Sequence, residues 1–313
     1  MKSRRLLKAG LFLFLAMGLM YPTVSRCQTM VGVLFSGNIP YYRSMHKIFL
    51  ARVKNELPIE ADVKFVNQFP APDPIALSNS AKKLVVGGVD LIISYGFPAT
   101  QAAVAKESDI PIIYVGVYDP QALIVKIGPL TGCGYKVPLS SLFRYYKQTL
   151  EIKRLVVVYS PNQKDSGLQM RELTTLSKEQ NINMVQLGLA SRADLKKLKL
   201  LQKGDAVFLT GSTLAHVMIK DIMADLRAKN IPAVDIFPDS LEEGALIALF
   251  QDPKEMGTIA ADIAVKVISG KNAEEVEPVN ETTTEMVFNL AEAKRLGINP
   301  PSGVIAEATR VIK

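Results

Sequence analysis

The sequence predicts an α/β protein: two doubly wound parallel-sheet lobes facing each other across a cleft. Three observations carry that expectation. Short apolar, β-branched runs alternate with stretches of helical periodicity along most of the chain, the pattern of parallel sheets covered by helices on both faces. The alternation is interrupted from Ala122 to Pro138, a stretch rich in Gly and Pro without a long helix, and then restarts. Finally, 313 residues, 48% hydrophobic and 21% charged, suffice for two ordinary lobes with sizeable cores.

Residues 1–27 differ in kind. Lys2, Arg4, Arg5 and Lys8 precede an unbroken apolar run, Ala9–Met20, and a more polar exit follows. That is the layout of a secretory signal, and the run is too short to span a bilayer, which needs about 20 residues. Export is expected, to the periplasm or the cell surface. Cys27 is a candidate lipid attachment site, but Arg26 stands where such signals carry a small residue, so plain cleavage near Ser25 or Cys27 is the expectation. The segment holds five of the 37 Lys and Arg and no acid. The remaining 32 basic residues face 30 acidic ones, so nucleic acid is not an expected partner.

In the first lobe, strands are expected at Met30–Ser36, Ala61–Asn67, Val89–Ser94 and Ile110–Gly116, with helices at Tyr41–Leu57, Pro74–Val86 and from Phe97 to about Lys106. Ala122–Pro138 reads as a crossover. The second set has helices at Leu139–Leu150, Ser166–Gln180, Arg192–Leu201 and Thr213–Lys229, and strands at Arg154–Tyr159, Asn183–Leu187, Ala206–Leu209 and Ala233–Phe237. The tail offers strand Gly244–Phe250, helix Pro253–Ser269, strand Thr284–Asn289 and a short closing helix, Val304–Val311. The expected first lobe is 28–121 plus about 244–280, and the second about 135–240 plus 282–313. Crossovers are expected near 122–134, 238–244 and 280–284.

Catalytic chemistry is hard to place. His46 and His216 are the two histidines, and the chain lacks GxSxG, HExxH, GxxxxGK[ST] and GxGxxG patterns. Ser212 and His216 read as an N-cap and a packing residue. Cys133 stands apart from any CxxC or Cys/His metal spacing. No enzyme, metal or cofactor is expected.

Ligands of doubly wound sheets bind beyond the carboxyl ends of the strands. That rule nominates Ser36 and Asn38, then Tyr95, Gly96, Phe97, Pro98, Ala99 and Thr100, then Tyr118 and Asp119 from the first lobe. From the second it nominates Asn162, Asp165 and Ser166, then Gly211, Ser212 and Thr213, then Asp239 and Ser240. Each has an ordinary structural role as turn, cap or core residue; their shared edge favours a site. The expected roles are backbone N–H groups of Gly96–Thr100 for an anionic end, Tyr95, Phe97 and Tyr118 for an apolar part, and Asp119 or Asp239 for an ammonium group.

Five stretches carry a family resemblance: VDLIISYGFPATQAA (Val89–Ala103), IPIIYVGVYDP (Ile110–Pro120), RLVVVYSPNQKDSGLQ (Arg154–Gln169), FPDSLEEGALIAL (Phe237–Leu249), and FNLAEAKRLGINPP (Phe288–Pro301) with a later RVI. The chain resembles the tryptophan/tyrosine-type family of ABC-transporter substrate-binding proteins. The resemblance implies a type I periplasmic binding protein fold with three interlobe crossovers and a monomer that delivers a small polar, amino acid-like molecule to an ABC permease, with aromatic amino acids the first expectation. The alternative use of the same fold is ligand sensing for a membrane histidine kinase or chemoreceptor. Departures from the family pattern fall in the cleft loops. Gly96-Phe97-Pro98-Ala99 replaces GTPA, Gly211-Ser212 replaces an Asp-Asn before Thr213, Asp165 replaces an Asn, and the Tyr118–Gly132 crossover is short.

Overall fold

The computed structural model describes residues 28–58, 61–123, 129–134, 136–280 and 283–313. The expected signal and Cys27 lie outside the described residues. The first sheet contains β1 (Thr29–Phe35), β2 (Val63–Gln68), β3 (Leu91–Tyr95), β4 (Ile112–Val115) and β5 (Leu130–Cys133), ordered β2-β1-β3-β4-β5 and all parallel. Helices α1 (Pro40–Glu56), α2 (Pro74–Val86) and α3 (Phe97–Val104) connect its first four strands.

The chain continues through α4 (Leu139–Thr149), β6 (Arg154–Tyr159), α5 (Lys164–Glu179), β7 (Asn183–Gly188), β8 (Asp205–Leu209), α6 (Thr213–Val217), α7 (Ile219–Ala228) and β9 (Ala233–Asp235). It ends with β10 (Ile247–Gln251), α8 (Pro253–Ile268), β11 (Thr284–Asn289), α9 (Leu290–Leu296), α10 (Ser302–Glu307) and β12 (Arg310–Ile312). The second sheet is ordered β12-β11-β10-β9-β8-β6-β7. All its pairs are parallel except β10 with β11.

The period of two along each strand explains why these runs are apolar throughout. Val31, Val33 and Phe35 of β1 join one core and Leu34 another, on the opposite face under α2 and α3. In β8, Ala206 and Phe208 face the same large core as β1, while Val207 and Leu209 face the core under α7. Each fully buried Leu, Ile or Phe stabilises the fold by about 1.5–3 kcal/mol. Caps fix several helix starts. Asp73 accepts from the N–H groups of Ile75 and Ala76, Asp252 from Lys254, and Asn289 from Glu292.

The structure corrects several sequence expectations. Leu130–Cys133 is not crossover but a strand of the first sheet, paired with β4. The 244–280 segment is divided: β10 pairs with β9 and β11 in the second sheet, whereas α8 returns to pack along α1 and against β4 and β5. The second crossing therefore lies at Gln251–Pro253 and not at 238–244. The first crossing runs from Gly134 towards α4. The third leaves Val279, which bridges Cys133, for β11. Arg192–Leu200 is a 3-10 helix, matching the three-residue spacing of Leu195, Leu198 and Leu201. The expected helix over 213–229 breaks at Met218 (φ −109°, ψ 15°). At the tail, Arg310–Ile312 extends the sheet beside β11 instead of ending a helix.

Where α8 crosses α1, Gly257 allows contact between backbones: a Cβ there would lie 2.5 Å from the Met45 carbonyl oxygen. Each sheet changes direction once near its start, between β1 and β3 and between β6 and β8. The loops leaving those four strands meet at the cleft.

Candidate functional site

Ser36, directly after β1, donates its hydroxyl to the Tyr95 carbonyl at 2.7 Å and accepts the Ala99 N–H at 2.9 Å. The Thr100 N–H goes to the Gly96 carbonyl, and the Thr100 hydroxyl donates to that carbonyl and contacts Ser94. The start of α3 is thus capped from within. The expected offer of Ala99 and Thr100 N–H groups to a ligand anion is corrected, because the protein's own oxygens already take them.

Gly96 has another use. Its φ is 82°, and a Cβ there would stand 2.3 Å from the Tyr42 phenol oxygen. The missing side chain leaves room for Tyr42, whose ring packs edge-on against Phe237 of the opposite lobe with centroids 5.8 Å apart. Gly37 abuts Thr213 of that lobe, since a Cβ on it would lie 2.6 Å from the Thr213 methyl. Beside this contact the Tyr41 and Phe237 rings pack across the cleft with centroids 4.8 Å apart, and the Tyr41 hydroxyl donates to the Gln251 carbonyl at 2.8 Å.

Two cavities flank these contacts. The outer one, about 350 Å³, is lined by the β2–α2 loop and α3 on one side and by Asn162, Gln163 and Thr213 on the other. The inner crevice is closed down to about 10 Å³, the room of about one water, and is lined by Tyr41, Tyr118 and Phe237 with Asp165, Gln169 and Gln251 among its polar residues. Asp165 and Gln169 are 4% and 1% exposed, and Asp165 Oδ1 and Gln169 Nε2 have no hydrogen-bond partner. Burial raises the Asp165 carboxyl to about 7, against the pull of the Ser166 N–H and the Gln163 amide. Buried polar atoms without partners are destabilising in isolation. Their concentration at one crevice marks a place for a polar ligand.

Beneath Phe237 lies His216. Its Nδ1 sits 2.7 Å from the Ser212 carbonyl oxygen and its Nε2 2.9 Å from Asp235 Oδ2. Both partners are acceptors, so both ring nitrogens carry protons. Burial opposes that charge, but Asp235 overrides it and lifts His216 to about 9. The imidazolium ties the β8–α6 loop to the end of β9. The Phe237 N–H also bonds Asp235, at 3.1 Å, which fixes one wall of the crevice.

The nominated residues divide accordingly. Ser36, Pro98, Asn162 and Thr213 line the outer cavity, and Tyr118 and Asp165 the inner crevice. Gly211 donates its N–H to Gln169, Ser166 bonds the Ser160 N–H and Thr210, and Ser212 caps α6. These support the site from behind. Asp239 lies near His216, and burial raises its carboxyl to about 6.

Others are misplaced by the sequence reading. Phe97 is buried with Tyr114 and Val117. Tyr95 stacks on Phe35 and contacts His46 Nδ1 at 3.1 Å within the lobe core. Ala99, Thr100 and Ser240 are buried away from both cavities, and Asn38 is exposed outside them. Asp119 accepts the Ala122 N–H in a turn. Cys133 is buried, its thiol pushed up to about 12 by that burial.

Sequence reasoning missed Tyr41, Tyr42, Gln163, Gln169 and Phe237, and the loop from Pro72 to Pro74. That loop follows β2 at the same sheet edge and was open to the same rule. The paired tyrosines opening α1 carried a signal too, but their helical spacing with Met45 and Phe49 reads as core.

Two α/β lobes closed over a cleft with buried, unsatisfied polar atoms define a small-molecule binding protein of the two-lobed periplasmic type. The model of the ABC transporter substrate binding protein family matches residues 56–312, and the chain belongs to that family. A tyrosine-binding protein from Clostridioides difficile is 25% identical over 286 residues, 88% of this chain and 82% of that one. A Streptococcus pneumoniae domain in complex with L-Trp superposes with a TM-score of 0.85 at 21% identity, over 91% of this chain and all of that one (100%). A ligand-free, open substrate-binding protein with adhesive properties from Clostridium difficile covers the same 91% and 99% of its own chain, also at 21% identity, with a TM-score of 0.63. At such identities the likeness establishes the fold. Among the described residues no helix is long and apolar enough to cross a membrane.

Proposed function

We propose that this chain is an exported, monomeric binding subunit that captures a small aromatic, amino acid-like molecule between its lobes and presents it to an ABC permease. The observation that carries this reading is the inner crevice, which Tyr41, Tyr118 and Phe237 line together with the buried carboxyl of Asp165, one oxygen of which has no partner, and which widens to admit a ligand when the lobes part. Rings suit an aromatic side chain, and Asp165 suits an ammonium group. Asp165 takes the role that the sequence reading gave to Asp119 or Asp239. Hinge closure turns occupancy into a shape the permease can distinguish. The packing of Tyr41 and Tyr42 against Phe237 supports a closed arrangement, as does the better superposition on the L-Trp complex than on the open relative. The tyrosine-binding relative supports the ligand class.

Thermal-shift screening against aromatic amino acids, their amines, branched-chain amino acids and sugars tests the reading. A ligand at 100 times its Kd adds about 2.7 kcal/mol of stability. The expected outcome is a shift with aromatic compounds that bear an ammonium group. A shift with sugars or branched-chain amino acids alone would overturn it.

A further inference from the structure

Resting on the reading above, we infer that the cleft selects the ammonium end of its ligand and disfavours a carboxylate, so that its preferred cargo is an aromatic monoamine and not the zwitterionic amino acid. The side chains lining the two cavities include Asp73 and Asp165 but no Lys, Arg or His. Asp73 is engaged in capping α2. Asp165 retains a buried oxygen without a partner. A bound monocation meets that charge one for one, whereas a zwitterion brings a second anion into a crevice that holds no cation for it.

Carboxylates are often received at helix N-termini, and three helices begin at this cleft. Each already carries an acceptor from the chain itself. At α3 the Ser36 hydroxyl takes the Ala99 N–H, and Pro98 has none to give. At α5 the acidic group is Asp165, in the first turn. At α6 the Ala215 N–H goes to Ser212 Oγ and the Leu214 N–H to Gln163 Oε1. The unpartnered donor on the inner crevice, Gln169 Nε2, is a neutral amide. It can meet a phenolic oxygen but brings no counter-charge.

The walls favour a cation as well. Tyr41, Tyr118 and Phe237 line the same crevice as Asp165, and an ammonium group gains from aromatic faces as well as from the carboxylate.

The test is isothermal titration calorimetry near neutral pH with tyramine, L-tyrosine and 3-(4-hydroxyphenyl)propanoate, and with tryptamine and L-tryptophan so that ring choice does not decide the result. The expected result is that the amine of the better-bound ring binds about tenfold or more tightly than its amino acid, while the propanoate does not bind. Ser36→Ala, which releases the Ala99 N–H, is expected to narrow the gap between amine and amino acid. An amino acid that binds as tightly as its amine, or more tightly, overturns this inference and leaves the aromatic reading intact. Absence of binding by every aromatic compound overturns both. An unchanged ratio in folded Ser36→Ala removes the argument drawn from the start of α3.

Discussion

Asp165 is the residue on which ligand chemistry and stability meet. Its carboxyl moves from 3.8 to about 7 on folding, chiefly through burial. The folded chain therefore binds more protons than the unfolded chain between those values. Its contribution makes stability fall as the pH rises through that window. Asp165→Asn removes this slope. Thermal melts of the unliganded protein at pH 5 and pH 8 should show a smaller difference between the two values for the variant, with the higher transition of the two proteins at pH 8 belonging to Asp165→Asn. An unchanged difference would mean that Asp165 keeps its charge without strain. Loss of a charge-assisted hydrogen bond of about 1.5–3 kcal/mol should also weaken ligand binding about 10- to 100-fold. Residue roles were the least legible part of the sequence. Phe97 and Tyr118 sit in similar loops at the same edge, yet Phe97 packs against Tyr114 while Tyr118 lines the crevice. Side-chain direction at a strand end depends on packing several elements away, which local pattern does not encode.

Elements were far more legible, because period-two burial on both faces leaves an unmistakable run. LIISY in β3 and DAVFL in β8 are buried at every position. What failed was the assignment of elements to lobes. Strand β10 and helix α8 are neighbours in sequence but belong to different lobes, and the Asp252-Pro253 junction between them reads as an ordinary capped helix start. The return of α8 depends on Gly257, against Met45 and Ile48 of α1. Gly257→Ala introduces a Cβ into backbone contact and should destabilise by about 1–3 kcal/mol. Gly303 in α10 has open space around its Cβ position, so Gly303→Ala should be neutral or stabilising by up to about 1 kcal/mol. Urea midpoints of the two variants check the pair. Equal midpoints would show that the helix crossing relaxes without cost.

At the scale of the whole molecule, one apolar cluster runs from Val31 in the first lobe to Val304 in the second, so the lobes share a core at their hinge side. The cleft side is bridged by the Tyr41 and Tyr42 rings against Phe237 and by Lys164 Nζ donating to the Ala122 carbonyl at 2.9 Å. That asymmetry suits opening about the crossovers, with the inner crevice accessible only when the lobes part. The two-lobed architecture could be read from the restart of alternation after Pro138; the closed arrangement, which depends on contacts between distant loops, could not. Small-angle X-ray scattering of the protein with and without a ligand identified by calorimetry tests the central claim most directly. Capture between closing lobes predicts a radius of gyration that falls in step with occupancy. A saturated protein whose scattering matches that of the free protein would contradict it.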